Sequence, residues 1–372
     1  MWITQLVVFA FISQSAAFEV ELQAVSRKLR PKRGSESGQN AFSSLLQNNY
    51  NVRYIGKIQV GTPPQSVQLI FDTGSSVVWV PEHGCRSSGK PHIACKYKEK
   101  TYSPEKSKTS VLVMKHGLNV SYSTGKANGD MRRDTLWVGS DSDLHDLRDF
   151  YFGSMQKIYN LDYGMLGLAP KRSPASYSYF FDELKRHLPE SVFSIHLRSC
   201  QSNYCSIGGV IKFGGIDTNN CENDVIWAEN LSEKHWTFKV EEMKVGEEVL
   251  ERDFEAITDS GHSYTQLHPK AFKSLLKAAN ITKNTSKGPT TYTIPCHNSF
   301  NLTVAINGKA LDIPSHVFIK KSNGENCELT IMEGSKTVMG QAFLRAVCSH
   351  HDYDGNRIGL SMVKGTHSWR GM

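Results

Sequence analysis

The sequence predicts a mostly β protein folded as two lobes that are built alike. Three observations predict it. The chain has 372 residues, 39% hydrophobic and 21% charged, an ordinary globular composition on a chain too long for one small core. From Tyr54 onward it consists of short β-branched and aromatic runs, such as Ile55 to Val60, Val67 to Phe71 and Val77 to Val80, broken by Gly61, Pro63-Pro64 and Gly74. A weak internal repeat doubles the pattern: an apolar run enters Asp-Thr-Gly at Asp72, and Ala256-Ile257-Thr258 enters Asp-Ser-Gly at Asp259. Each is followed by an apolar-apolar-Gly unit, Met165-Leu166-Gly167 and then Val338-Met339-Gly340. Helical spacing is confined to two short stretches, Tyr179 to Leu188 and Lys270 to Ala279.

Taken in order, residues 1–17 carry an apolar run around Leu6 to Ile12 and end in Ser15-Ala16-Ala17, a removable signal peptide. The run is far shorter than the ~20 apolar residues that span a bilayer, and no later run is longer, so no membrane span is expected. Residues 18–49 read as a pro-segment or flexible arm outside the folded part; Arg30-Pro31-Lys32-Arg33 resembles a furin-type processing site. Cleavage there removes five basic and two acidic residues and takes the formal charge from +7 to +4. The first lobe is expected over residues 50–228. Ile211 to Asp217, a strand ending in a Gly turn, marks the crossing to a second lobe over residues 229–372.

Eight cysteines form an even set, and five Asn-x-Ser/Thr sequons begin at Asn119, Asn230, Asn280, Asn284 and Asn301. With the signal peptide they agree on an oxidising, glycosylating route. No Cys-x-x-Cys pair occurs, so the cysteines read as disulfides and no metal or cofactor is expected. Lysines and arginines are scattered rather than gathered on one helix face, so nucleic acid is not an expected partner. Gly-x-Ser-x-Gly and His-Glu-x-x-His are both absent, which excludes a serine hydrolase or metallopeptidase of those types.

The repeated Asp-Thr/Ser-Gly-x-Ser unit is where the chemistry lies. Glycine after the hydroxyl residue permits a tight turn, so the carboxylate sits at a loop tip that a second loop can approach. The hydroxyls of Thr73 and Ser260 can bond across to the opposite loop, while Ser75 and Ser263 lie near their own carboxylates and can orient them. Facing carboxylates cannot both ionise, so Asp72 and Asp259 would titrate as one unit holding one proton. Such a pair activates a water with one member and polarises a carbonyl with the other.

A lone Asp-x-Gly says little. Here Tyr54-Ile55-Gly56-Lys57-Ile58-Gln59-Val60-Gly61-Thr62-Pro63-Pro64-Gln65, then Phe71-Asp72-Thr73-Gly74-Ser75-Ser76 and Trp79-Val80-Pro81, resembles the first-lobe signature of the pepsin-like aspartic endopeptidases, family A1. The resemblance continues through Asp162 to Ala169, Val192 to Ile195, Phe213-Gly214-Gly215, the second Asp-Ser-Gly and Arg357-Ile358-Gly359-Leu360. It implies the bilobed pepsin-like acid protease fold, with the active-site cleft between the lobes. It implies hydrolysis of peptide bonds at acidic pH by a water between Asp72 and Asp259, favouring bulky apolar residues at the scissile bond. It further implies polypeptide substrates, pepstatin-like inhibitors, a monomeric zymogen, and a secreted or lysosome-like destination. A flap is implied at Tyr122-Ser123-Thr124, with Tyr122 reaching Trp79. Among the cysteines it implies the pairs Cys85–Cys95 and Cys296–Cys327; Cys200–Cys205 with Cys221–Cys348 is the pairing expected for the rest.

The departures are local. His262 stands where the family has a threonine or serine supporting the second carboxylate; its imidazole either donates that bond or turns away. Ser123 replaces a glycine after the flap tyrosine, and Gln341 an aspartate after Gly340. The alternative reading is a secreted binding protein that kept the bilobed fold with impaired catalysis.

Overall fold

The computed structural model describes residues 18–25, 53–89, 94–95, 101–140, 143–170, 178–199, 204–285, 290–320, 324–365 and 370–371. The first half runs through β1 (Phe18–Val25), β2 (Tyr54–Val60), β3 (Gln65–Asp72), β4 (Trp79–Ser88), β5 (Val111–Ser121), β6 (Lys126–Ser140), β7 (Asp143–Tyr159) and β8 (Gly164–Gly167). Then come α1 (Phe180–Leu184), β9 (Val192–Leu197), β10 (Tyr204–Phe213) and β11 (Ile226–Glu229). The second half opens with β12 (Thr237–Val245), β13 (Glu248–Thr258), β14 (Thr265–Leu267) and α2 (Pro269–Ala278). It continues through β15 (Thr282–Asn284), β16 (Thr291–Pro295), β17 (Asn301–Ile306), β18 (Lys309–Pro314), β19 (Ile319–Lys320), β20 (Asn326–Leu329), β21 (Ile331–Glu333) and β22 (Thr337–Met339). It ends in α3 (Gln341–Leu344), β23 (Val347–Asp352), β24 (Arg357–Met362) and β25 (Arg370–Gly371). The mostly β, two-lobed expectation holds, and both expected helices form; α3 is a single short turn that carries no helical pattern of its own.

The internal repeat has a structural meaning. β3 pairs in parallel with β8, from Leu69↔Gly164 to Asp72↔Gly167, and β13 pairs in parallel with β22, from Ala256↔Thr337 to Thr258↔Met339. Each apolar-apolar-Gly unit is thus the parallel neighbour of the strand that delivers an aspartate. β8, β22 and the last four residues of β3 are buried throughout, covered on both faces, which is why they read as apolar runs instead of alternating ones.

The two halves are not separate sheets. One sheet has the order β11-β24-β23-β9-β10-β1-β2-β3-β8-β4-β7-β6-β5, so β23 and β24, the last long strands, sit beside first-half strands. The boundary expected at 228 falls inside β11, which pairs with β24 through Ala228↔Ile358. All six residues of β9 and of β23 are buried, within a core that runs through both halves.

The arm expected to be flexible from Phe18 is corrected over Phe18–Val25. That segment is β1, paired with β10 from Phe18↔Phe213 to Val25↔Tyr204 and with β2 at Gln23↔Ile55 and Ala24↔Tyr54. The physical reason is that Phe-Glu-Val-Glu-Leu alternates with period two and fills a gap between two edges that would otherwise present unpaired backbone groups. The signal peptide and processing site fall outside the described residues.

Three of the expected disulfides are present: Cys85–Cys95, Cys221–Cys348 and Cys296–Cys327. The expected Cys200–Cys205 pair involves Cys200, outside the described residues. Asn119, Asn280, Asn284 and Asn301 are exposed. Asn230 is corrected as a glycan acceptor: it is 4% exposed, and its amide nitrogen donates to the Ser232 carbonyl at 2.8 Å and to Asn356 Oδ1 at 3.0 Å. The sequon there serves a turn, with Asn230 Oδ1 accepting the Thr237 N–H at 3.0 Å.

Cys221–Cys348 joins residues 127 apart. Replacing both by serine is expected to lower unfolding stability by about 5 kcal/mol, the loop-closure entropy of so long a loop, read by urea unfolding.

Candidate active site

Asp72 ends β3, and Asp259 follows directly after β13. The loops beyond them meet through a reciprocal set of hydrogen bonds. The Thr73 N–H donates to Ser260 Oγ at 3.0 Å, and the Ser260 N–H donates to Thr73 Oγ1 at 2.9 Å. Each hydroxyl then passes its own proton across the interface: Thr73 Oγ1 donates to the Thr258 carbonyl at 3.0 Å, and Ser260 Oγ to the Phe71 carbonyl at 2.6 Å. Neither loop satisfies these buried groups alone, so the loops are fixed relative to each other.

That clamp brings the carboxylates together. A Cβ on Gly74 would strike the Asp259 carboxylate, and one on Gly261 would strike Asp72 Oδ1, so glycine is required at both positions by close approach rather than by a turn alone. Asp72 accepts the Gly74 N–H at 2.9 Å on Oδ1 and the Ser75 hydroxyl at 2.5 Å on Oδ2. Asp259 Oδ1 accepts the N–H groups of Gly261 at 2.8 Å and His262 at 3.0 Å. Burial, then the neighbouring Asp259 charge, pushes Asp72 up to about 7, with the Ser75 and Gly74 donors opposing. Asp259 is also raised, again by burial first, and is held down by its bonds from Asp72 and the two amides. The pair therefore shares one proton, which keeps two desolvated carboxyls from both carrying charge.

Tyr122-Ser123-Thr124, the segment for which a flap was expected, forms the turn between β5 and β6. The Tyr122 N–H donates to the Gly125 carbonyl at 2.7 Å, leaving Ser123 and Thr124 exposed at the tip. Trp79, fully buried, donates its indole N–H to the Tyr122 hydroxyl at 2.9 Å. Burial and the Asp72 charge push the Tyr122 phenol above its usual range, so it remains a neutral group over the dyad.

The second loop differs from expectation at two positions. Of the two alternatives for His262, the ring turns away: Nδ1 donates to the Tyr264 carbonyl at 2.7 Å, and only the backbone amide supports Asp259. The Ser263 hydroxyl, expected to orient Asp259, instead accepts from Arg53 Nη1 at 3.2 Å. The reason is local geometry. The Gln341 N–H takes the His262 carbonyl at 2.8 Å, and Gln341 Nε2 donates to the Ser260 carbonyl at 2.7 Å, so the loop backbone is pinned and carries Ser263 past the carboxylate. Arg53, whose Nε also donates to Asp162 Oδ2 at 3.3 Å, carries no sequence signal for this role. Nor does His235, whose Nδ1 donates to the Gly74 carbonyl at 3.2 Å across a separation of 161 residues.

The profile of the family described as "Eukaryotic aspartyl protease" matches residues 53–363, nearly all of the chain beyond the arm. This chain belongs to the eukaryotic aspartyl protease family. Among its relatives, pepsin A of Gallus gallus is 29% identical over 333 residues, covering 85% of this chain and 86% of the relative. Pepsin A of Bos taurus is 29% identical over 333 residues, covering 86% of each. Aspartic protease 2 of Necator americanus is 24% identical over 370 residues, covering 84% of each. In this aspartyl protease family member, the Asp72 and Asp259 loops and the flap all lie within the matched span.

Thr73→Val keeps the shape of the clamp residue but leaves the Ser260 N–H and Thr258 carbonyl without their partner. It is expected to lower unfolding stability by about 1–3 kcal/mol, measured by urea unfolding.

Proposed function

We propose that the protein is an aspartic endopeptidase that cleaves peptide bonds at acidic pH with a water activated between Asp72 and Asp259. The observation that carries this is the meeting of two buried carboxyls at the end of β3 and just after β13, locked by the Thr73–Ser260 bonds and both raised in pKa. The ionised member draws a proton from the water as it attacks the peptide carbonyl. The protonated member donates a hydrogen bond to the carbonyl oxygen, which becomes an alcohol oxygen in a tetrahedral diol. No acyl-enzyme forms. Collapse passes a proton to the amine and restores one proton to the pair.

Tyr122, held by Trp79, closes over an extended chain and excludes water, which favours bulky apolar side chains beside the scissile bond. Pepstatin-like inhibitors are the matching inhibitor class. Asp259 receives its support from the His262 backbone rather than the side chain, so the family's missing hydroxyl is replaced by an amide already in place. The proposed route is the secretory pathway, as a monomeric, glycosylated zymogen processed near Arg33 and released or delivered to an acidic compartment. No helix among the described residues is long and apolar enough to cross a membrane.

The pH dependence follows from the raised pair. Below about 7 the pair holds the proton that the general acid needs; above it that proton is lost. Hydrolysis of an unfolded protein by processed material, assayed between about pH 3 and pH 6, is therefore expected within that range, falling as pH rises through neutrality. Pepstatin is expected to silence it, and Asp72→Asn to lower it by about 10²–10⁴-fold. A folded, processed protein silent throughout that range would overturn the reading in favour of a binding protein.

A further inference from the structure

β23 contains two consecutive histidines, His350 and His351, both with no exposed surface, inside the sheet that the two halves share. Successive side chains of a strand point to opposite faces, so the two imidazoles enter different parts of the core. His350 lies between hydroxyls, with Nδ1 2.8 Å from Ser194 Oγ and Nε2 2.9 Å from Ser361 Oγ. His351 stacks on Phe193 with ring centres 4.5 Å apart and meets Trp236 edge-on at 5.0 Å. Its Nε2 lies 3.2 Å from Thr258 Oγ1, and its Nδ1 is buried with no hydrogen-bond partner.

Thr258 is the residue on which the second catalytic loop hangs. It precedes Asp259, its carbonyl accepts the Thr73 hydroxyl, and its N–H donates to the Trp236 carbonyl at 2.9 Å. The arrangement also selects a tautomer. With the proton on Nε2, His351 donates to Thr258 Oγ1, and the Thr258 hydroxyl turns to the Trp236 carbonyl at 3.5 Å. Every buried donor is then satisfied, and only a bare Nδ1 is left. A second proton must enter at that nitrogen, where nothing accepts it.

We infer that His351 is a positioning residue for the Asp259 loop, and that protonation of His351 with His350 frees that loop and sets the acid limit of the protein's working range. The acid limit of hydrolysis rests on the proteolytic reading above; the loss of fold does not. The charged groups around the pair do not rescue it. Asp217 faces His350, but its oxygens already accept from Asn219 and Asn220. His196 on β9 is a further cation in acid, with Arg198 beside it. Asp352 is committed to Arg357 at 2.7 Å, and Arg357 lies over Trp227, whose ring is 6.3 Å from His350. Asp72 and Asp259 lie beyond Thr258 and share their own proton. Burial pushes His350 down to about 4 and His351 well below its usual value, His350 adding to the latter.

The sign is definite. An unfolded histidine binds its proton near 6.5, the folded pair only far lower, so stability is full above about 6.5 and is lost as pH falls towards 4. That shift alone lowers the folding constant by about 300-fold for His350. The carboxylate pair works in the opposite direction, since Asp72, raised to about 7, contributes stability that grows as pH falls below that value. Proteins differing only at the histidines cancel that contribution.

The experiment compares the wild type with a His350→Val, His351→Phe double variant of the full chain, following tryptophan fluorescence and hydrolysis from pH 7 to pH 3. Expected are an acid-unfolding midpoint moved to lower pH in the variant and an acid limb of hydrolysis that moves with it. A merely structural role would change stability equally at every pH and leave the shape of both profiles unaltered, which would overturn the inference. A fluorescence midpoint that moves in a protein with no hydrolytic activity supports the inference about the fold and sinks the proteolytic reading alone. If the variant does not fold, the wild-type imidazole Cε1–H resonances decide. Three of them, from His350, His351 and the likewise depressed His196, are expected to stay neutral well below pH 6.5; if the His350 and His351 resonances titrate near 6.5 in the folded protein, the inference falls.

Discussion

Two carboxyl groups buried against each other repel as anions and lose solvation besides, so left to themselves the two loops would part. What holds them is the exchange between Thr73 and Ser260, in which each backbone N–H is received by the other loop's hydroxyl. The bonds are short, buried and reciprocal, so neither loop can relax without stranding a polar group in the partner. Sharing one proton removes the repulsion that remains. The glycines, the parallel strand neighbours and the flap are all arranged around that single point.

The rest of the molecule holds the point in place from below. β9, β10, β23 and β24 form the region of sheet common to both halves, and Trp236 ties it to the first half by donating its indole N–H to the Leu168 carbonyl at 2.8 Å. Trp236, His351 and Thr258 then form one continuous contact leading to Asp259. The geometry of the two aspartate loops is therefore no more rigid than this sheet. A polar residue placed there supports the loop only while it stays uncharged.

Much of this was legible in the sequence because it is local. Asp-Thr-Gly and Asp-Ser-Gly fix a turn and its side-chain directions within a few residues, and the apolar-apolar-Gly echoes reveal the parallel neighbours of β3 and β13. Tyr122 was singled out through the family resemblance, and its hydroxyl accepts the Trp79 indole N–H as that resemblance implied. The direction of Ser263 was not legible, since it depends on how Gln341 pins the loop backbone from 81 residues away. β1 was not legible as part of the fold because its pairing partners, β10 and β2, lie far along the chain. Asn230 was misread because a sequon is blind to burial.

By itself the sequence determined the mostly β fold class, the two Asp-Thr/Ser-Gly turns and the hydroxyl residues beside them. Each of those follows from periodicity, turn chemistry or a short motif, which are properties of neighbouring residues. Only the tertiary structure decided that the His262 ring turns to Tyr264, that Arg53 takes Ser263, that His235 reaches the Gly74 carbonyl, and that His351 meets the Thr258 hydroxyl. Those partners are brought together by sheet pairing and burial. The protonation of a buried group depends on what surrounds it in space, which no local run of residues encodes.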